Sequence, residues 1–207
     1  MIDLLKNRKA VDVIARKFLL QGELRFNEWL FDGKMESIIF CYEYANQFSK
    51  PLYKEFANEL IDDLFLHIDL EEDISFSKGL SGIAWGILYL FHQGYVAGEM
   101  DDILVDFDNV IMQKDPRRYP NDSFDLGFEG VLYYINTRLR FAYEYQLKKP
   151  FDAVYLSDIQ YALKHQIYSE MEYNQDKIFC QCMEYGMGNP DFELGYLQLP
   201  FVKCIMA

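Results

Sequence analysis

The chain's metal chemistry is bounded by four cysteines and three histidines. Cys180-Gln181-Cys182, with His165 before it and Cys204 after it, is the one cluster rich enough in soft donors for zinc, which takes thiolate and imidazole ligands in threes and fours. A single residue between the paired cysteines is closer than structural zinc usually takes. His165 also sits beside Leu163 and Ile167 in a helical pattern, so the reading is buried or incidental thiols and no metal. His67 and His92 have no cysteine, serine or acidic partner at a recognisable spacing, so no nucleophilic triad is assigned. Asp32-Gly33-Lys34-Met35 lacks the upstream glycine and the Ser/Thr of a phosphate loop.

Two other sets of side chains suit chemistry by type. The acids Asp32, Glu36, Asp125 and Glu129 lie at turns that open helices, where a general acid and base work only at a defined separation. The simpler reading is negative charge complementing the helix macrodipole. Lys34, Trp85, Tyr89, Tyr133 and Tyr134 lie on apolar helices, and Tyr and Trp offer large apolar area with a polar handle, which suits an extended peptide. Core packing is the plainer alternative. The residues assigned to substrate binding are Asp32, Lys34, Trp85, Tyr89, Glu129 and Tyr133; no catalytic residue, metal or cofactor is assigned.

The elements that position these residues are punctuated by glycine. Asp32-Gly33-Lys34, Gly79-Leu80-Ser81-Gly82 and Gly127-Phe128-Glu129-Gly130 each precede an apolar, aromatic run. Their first glycines lie 46 residues (33 to 79) and 48 residues (79 to 127) apart, a period that marks stacked supersecondary units. Glycine there serves a positive φ or a close approach of another segment. Each unit reads as two helices. The first unit has one near 34–48 and, after Pro51, one carrying Leu52, Phe56, Leu60, Leu64 and Ile68. The second has one to about Phe91, then one near 99–113 with Ile103, Leu104, Phe107, Val110 and Ile111 on a face. In the third, a helix runs to about Leu147, and Val154, Ile159, Leu163 and Ile167 follow Pro150.

First helices are nearly uncharged over Ile83–Phe91 and Val131–Ile135, as an inner ring would be. Second helices carry charges read as exposed (Lys54, Glu55, Glu59, Asp62, Asp63; Glu99, Asp101, Asp102, Asp106, Asp108), as an outer ring would. No segment shows strand alternation bounded by hairpin turns. The fold class expected is all-α, a toroid-like array of helical hairpins or an arc of one. The expected organisation is a single domain over 1–207: an N-terminal helix in 1–30, hairpins in 31–70, 79–114 and 127–170, and an irregular or degenerate unit in 171–207.

The GxxG turn followed by an apolar-aromatic helix, in Phe76-Ser77-Lys78-GLSGIAWGILYLFHQGYV and in Phe124-Asp125-Leu126-GFEGVLYYINTRL, resembles the lanthionine synthetase C-like family. FDGKMESIIFCYEYANQFSKPLYKEFANELIDDL is similar to the preceding repeat of that family, particularly in its short, divergent bacterial members. The resemblance spans 30–147, and Asp191-Phe192-Glu193-Leu194-Gly195 reads as a degenerate further unit. It implies an α/α toroid and, in active members, zinc-dependent addition of peptide cysteine thiols to dehydrated serine or threonine. In those members zinc is held by two cysteines and a histidine in Cys-His-Gly-like and Trp-Cys-Tyr-Gly-like turns. Neither motif occurs here: Leu80-Ser81 and Phe128-Glu129 stand at the corresponding turns. The resemblance therefore implies the architecture and a role in peptide maturation or recognition without cyclisation. The alternatives are a thioether-forming enzyme with a non-standard site and a purely structural interaction module.

Composition narrows the partners. With 20 basic and 33 acidic side chains the net charge is −13, and no basic patch offsets it, so neither nucleic acid nor an anionic membrane is expected. Asp3, Lys6, Arg8, Lys9 and Asp12 interrupt the N-terminal apolar pattern, so a secretory signal is not expected and the thiols should be reduced in the cytoplasm. Seventeen phenylalanines and 16 tyrosines exceed what an outer surface should show, so an exposed inner edge should be covered. Candidates are the aromatic and methionine-rich segment from about Ser169 to Pro200, a second copy in a homodimer, or a peptide or protein partner.

Overall fold

The computed structural model describes residues 2–21, 27–30, 33–119 and 124–164. The described residues form seven α-helices and no strand: α1 (Ile2–Gln21), α2 (Lys34–Phe48), α3 (Pro51–His67), α4 (Leu80–His92), α5 (Met100–Met112), α6 (Phe128–Glu144) and α7 (Ala153–Lys164), with one 3-10 turn at Pro116–Arg118. The fold is all-α, and the helices start where the glycines and prolines place them. α6 ends three residues earlier than the apolar pattern suggests, where Gln146 turns into the left-handed region at φ 55°. No helix among the described residues is long and apolar enough to cross a membrane.

The described residues up to Asp69 form one compact unit and those from Leu70 a second. In the first unit α2 is buried from Lys34 to Ala45, between antiparallel neighbours. Phe18 of α1 stacks on Phe40 with ring centres 4.6 Å apart, and the Tyr44 hydroxyl donates to Asp12 at 2.7 Å. On its other side Tyr42 donates to Asn58 at 2.6 Å and Tyr44 meets Tyr53 at 4.6 Å, which sets α3 antiparallel to α2. The turn between them is a left-handed Ser49 at φ 52° followed by Pro51 at the start of α3, where a missing N–H leaves nothing unsatisfied.

In the second unit α4 is buried from Leu80 to Leu90, and α6 is buried over most of its length. The two are parallel: Trp85 lies 6.4 Å from Tyr133 and Phe91 lies 5.5 Å from Phe141. Phe76 meets Phe124 at 5.1 Å, and Ser77 N–H donates to Asp125 O at 2.9 Å. Three of these four pairs are separated by 48 residues, so the sequence period is also the contact register between the two consecutive hairpins of this unit. α5 buries Leu104, Phe107 and Ile111 at i, i+3 and i+7, the stripe of an amphipathic helix.

The glycine turns work by close approach and not by positive φ. Gly33, Gly79 and Gly127 are extended N-caps at φ −121°, −153° and −97°. A Cβ on Gly33 would fall 2.3 Å from Trp29 O, and one on Gly79 would fall 2.2 Å from Asp73 O. The crowding carbonyl segments also supply helix caps: Lys34 N–H donates to Asn27 O and Leu80 N–H to Asp73 O, both at 2.9 Å and both seven residues back. Helix-start N–H groups that no side chain caps are thus satisfied by the incoming loop.

One expectation is corrected. Asp108, read as an outer charge, is 2% exposed. It stands at i+4 from Leu104 and three residues before Ile111, inside α5's buried stripe, and Arg138 of α6 reaches it from the facing helix.

Candidate functional site

One assembly of side chains with a recognition capacity is aromatic and belongs to the second unit. Phe76 precedes α4, Phe124 precedes α6, Trp85 and Tyr89 are on α4, and Tyr133 is on α6. Phe76 touches Trp85 at 6.0 Å and Tyr133 at 5.6 Å, edge to face. Tyr133 also meets Phe124 at 5.6 Å, and Trp85 stacks on Tyr89 at 5.5 Å. Such pairs contribute about 1 kcal/mol each beyond their buried area. The seat for Phe76 is made by Gly130: a Cβ there would fall 2.4 Å from Phe76 Cβ and 2.2 Å from Phe124 O. Gly130 therefore lets one hairpin's phenylalanine nest against the next hairpin's helix within the second unit.

Burial divides this cluster in two. Phe76, Trp85 and Tyr89 are fully buried, whereas Phe124 and Tyr133 are half-buried. Glu129, also half-buried, is four residues before Tyr133 and shares its face of α6. The accessible part is a tyrosine and a phenylalanine edge with one carboxylate beside them, braced from beneath by Trp85. Rings of this kind take apolar or amide groups, and a carboxylate accepts from N–H donors.

The other assigned residues fall elsewhere. Lys34 lies in the first unit, 4% exposed at the start of α2, where its ammonium donates to Asp63 and lies 3.6 Å from Glu28. Lys34's hydrogen bond holds the Asp63 carboxyl below the usual range, and His67, 3.2 Å from Asp63, adds to this. Asp32 lies outside the described residues. Trp85, Tyr89 and Tyr133 are thus brought together with Glu129 nearby, and Lys34 belongs to a part-buried ion pair of the other unit.

Two features escaped the sequence reading. Phe76 and Phe124 were not assigned to the site, although each stands three residues before a glycine turn, a repeated F-x-x-G that marks them. The second is a buried polar network between α5 and α6. Asp108 accepts from Tyr134 Oη at 2.6 Å and Arg138 Nε at 3.1 Å, while Arg138 Nη2 donates to Asp101 at 2.7 Å. Arg138 is 1% exposed and its Nη1 has no hydrogen-bond partner among the described residues. Burial pushes the Asp108 carboxyl up to about 6, against the pull of Arg138 and Tyr134. Asp108's charge in turn keeps Arg138 above its ordinary value despite burial.

The donor set of the described residues does not suit zinc. Cys41 is buried in α2 and burial pushes its thiol up to about 12, so it remains a neutral thiol rather than a thiolate ligand. No group of three histidine, cysteine or acidic side chains is gathered for a metal among the described residues. Ser81 and Glu129 occupy the glycine turns of α4 and α6, and His165, Cys180, Cys182 and Cys204 lie outside the described residues.

Comparison with family models adds one match. The model described as lanthionine synthetase C-like protein aligns with residues 30–197, most of the chain. Searches of curated proteins and of solved structures give no match.

Proposed function

The chain belongs to the lanthionine synthetase C-like family, and from that premise we propose that it binds a peptide, in peptide maturation or recognition, without forming thioether bonds. The observation that supports the reading is the braced aromatic edge of the second unit. Tyr133 and Phe124 present ring surface at half burial, Glu129 lies one turn away, and Phe76 and Trp85 hold the rings from below. A peptide laid across this edge would place apolar side chains on the rings and a backbone or lysine N–H on Glu129. Pre-ordered rings lower the entropy lost on binding. The hairpin array is, in this proposal, an α/α toroid or an arc of one, with α4 and α6 as neighbouring inner helices.

Cyclisation would require a zinc-activated thiolate, and the turns of α4 and α6 supply Ser81 and Glu129 rather than cysteine and histidine. No catalytic step is therefore assigned to these residues.

The test uses the purified chain and a synthetic peptide containing cysteine and dehydroalanine. Calorimetry should show binding, and a thiol assay should show no loss of free cysteine over hours, with or without added zinc. Tyr133→Ala should weaken binding about tenfold, the effect of losing one well-packed aromatic contact. Zinc-dependent thiol consumption would overturn the reading in favour of an enzyme with a non-standard site. No binding, or binding indifferent to Tyr133→Ala and Phe124→Ala, would overturn the assignment of this edge.

A further inference from the structure

In the first unit a cleft of about 340 Å³ opens between α1 and the turn joining α2 to α3. It belongs to neither the aromatic edge nor the Lys34 pair. Its polar groups are mostly donors. Arg16 projects from α1 and Lys50 from the turn, both exposed and neither in an ion pair among the described residues. The Tyr53 ring is largely buried, and its hydroxyl makes no hydrogen bond among the described residues. The hydroxyl lies within the fields of both Arg16 and Asp12: burial and Cys41 raise its pKa, Arg16 lowers it, and Asp12 raises it. Arg16, Asp12 and Tyr53 all line the cleft. Asp12 is the one acidic side chain of the lining, and it already accepts from Tyr44. The remaining wall is apolar, formed by Pro51, Leu52 and the Tyr53 ring, with Leu52 56% exposed.

From the unpaired donors, the Tyr53 hydroxyl and the apolar wall, we propose that this cleft binds the carboxylate of a small apolar ligand, of the kind presented by the C-terminal residue of a peptide. The guanidinium of Arg16 takes the two carboxylate oxygens, Tyr53 donates one further hydrogen bond, and Lys50 adds charge at the mouth. The ligand's side chain lies on Leu52 and Pro51. Asp12 selects for one negative charge over two, because a dianion beside it is repelled more strongly. In a chain of net charge −13 such a cleft is a local reversal of sign, and it directs an anion to one place. This inference does not depend on the peptide reading of the second unit.

The experiment is NMR titration of the full chain with N-acetyl-leucine, N-acetyl-leucinamide and inorganic phosphate. N-acetyl-leucine should shift the Tyr53 and Leu52 resonances saturably, the amide should not, and phosphate should bind more weakly. Arg16→Gln should weaken binding about tenfold, as loss of a charge-assisted bidentate contact does, and Tyr53→Phe about fivefold. Lys50→Gln should weaken it only about threefold and increase the tolerance to salt. Arg16 and Lys50 are exposed, so these variants leave the core intact, and Tyr53→Phe keeps the ring. Equal binding of acid and amide, tighter binding of phosphate, or affinity unchanged in both Arg16→Gln and Tyr53→Phe would overturn the proposal.

Discussion

Removing either partner of the Asp108–Arg138 pair should destabilise the protein, but with opposite pH behaviour. Asp108 can take up a proton when its partner is lost, whereas Arg138 stays charged at every accessible pH. Asp108→Leu strands a guanidinium that is 1% exposed, leaving it the Asp101 contact at 2.7 Å. Breaking a buried pair this way costs about 3–5 kcal/mol, and the surviving Asp101 bond puts the value near 3. The loss should be larger at pH 5 than at pH 7 by about 1 kcal/mol, because the parent gains stability as Asp108 takes up a proton below its folded value of about 6 and the variant has no such group. Arg138→Met leaves Asp108 facing Tyr134 and Asp101, with burial unopposed by a cation, so its carboxyl rises above about 6 and is protonated at neutral pH. A raised folded-state pKa contributes stability that is complete below the unfolded value of 3.8 and is lost as pH rises through the folded value. In the parent chain that window runs from about 4 to about 6 and is worth about 3 kcal/mol at 1.4 kcal/mol per pH unit. In Arg138→Met the window extends upward, so the deficit relative to the parent should shrink by about 1 kcal/mol between pH 7 and pH 5. Urea unfolding followed by circular dichroism at the two pH values measures both, and the double variant should recover most of the loss. A cost below about 1 kcal/mol for Asp108→Leu, or a pH-independent deficit for Arg138→Met, would refute the reasoning.

Three further outcomes are expected. Gly79→Ala would drive a Cβ to 2.2 Å from Asp73 O and should destabilise by about 3 kcal/mol in a thermal melt, because rigid backbone on the far side cannot give way. In Lys34→Met the Asp63 carboxyl loses the hydrogen bond that holds it low, so its titration by NMR should move up toward the ordinary aspartate value, and acid should cost the variant less of its stability than it costs the parent. Cys41, buried and with its thiol pushed up to about 12, should stay unlabelled by a maleimide in the native chain and react only after denaturation, as read by mass mapping of its peptide.

The sequence alone determined the all-α class, the helix starts and the family, because these depend on local signals: glycine and proline punctuation, apolar periodicity and the repeated GxxG turn before an apolar-aromatic helix. It also held the neighbour relation of the two hairpins in the second unit, since the 48-residue period of the glycine turns is the offset at which Phe76 meets Phe124 and Trp85 meets Tyr133. Only the tertiary structure decided which polar side chains are inside. Asp108 reads as one more acid on an acidic helix until antiparallel packing of α5 on α6 sets Arg138 against it, 30 residues on. Likewise Trp85, Tyr89 and Tyr133 have similar chemistry along the chain, yet only Tyr133 retains an open edge, because α4 is enclosed on all sides and α6 is not. The cleft of the first unit belongs to the same class of fact. Arg16, Lys50 and Tyr53 share no motif, and they meet because α1 lies antiparallel on α2 while Ser49 and Pro51 turn α3 back beside it. Burial and long-range pairing depend on which faces meet, and a linear pattern of residues records which faces are apolar but not which partner each will find.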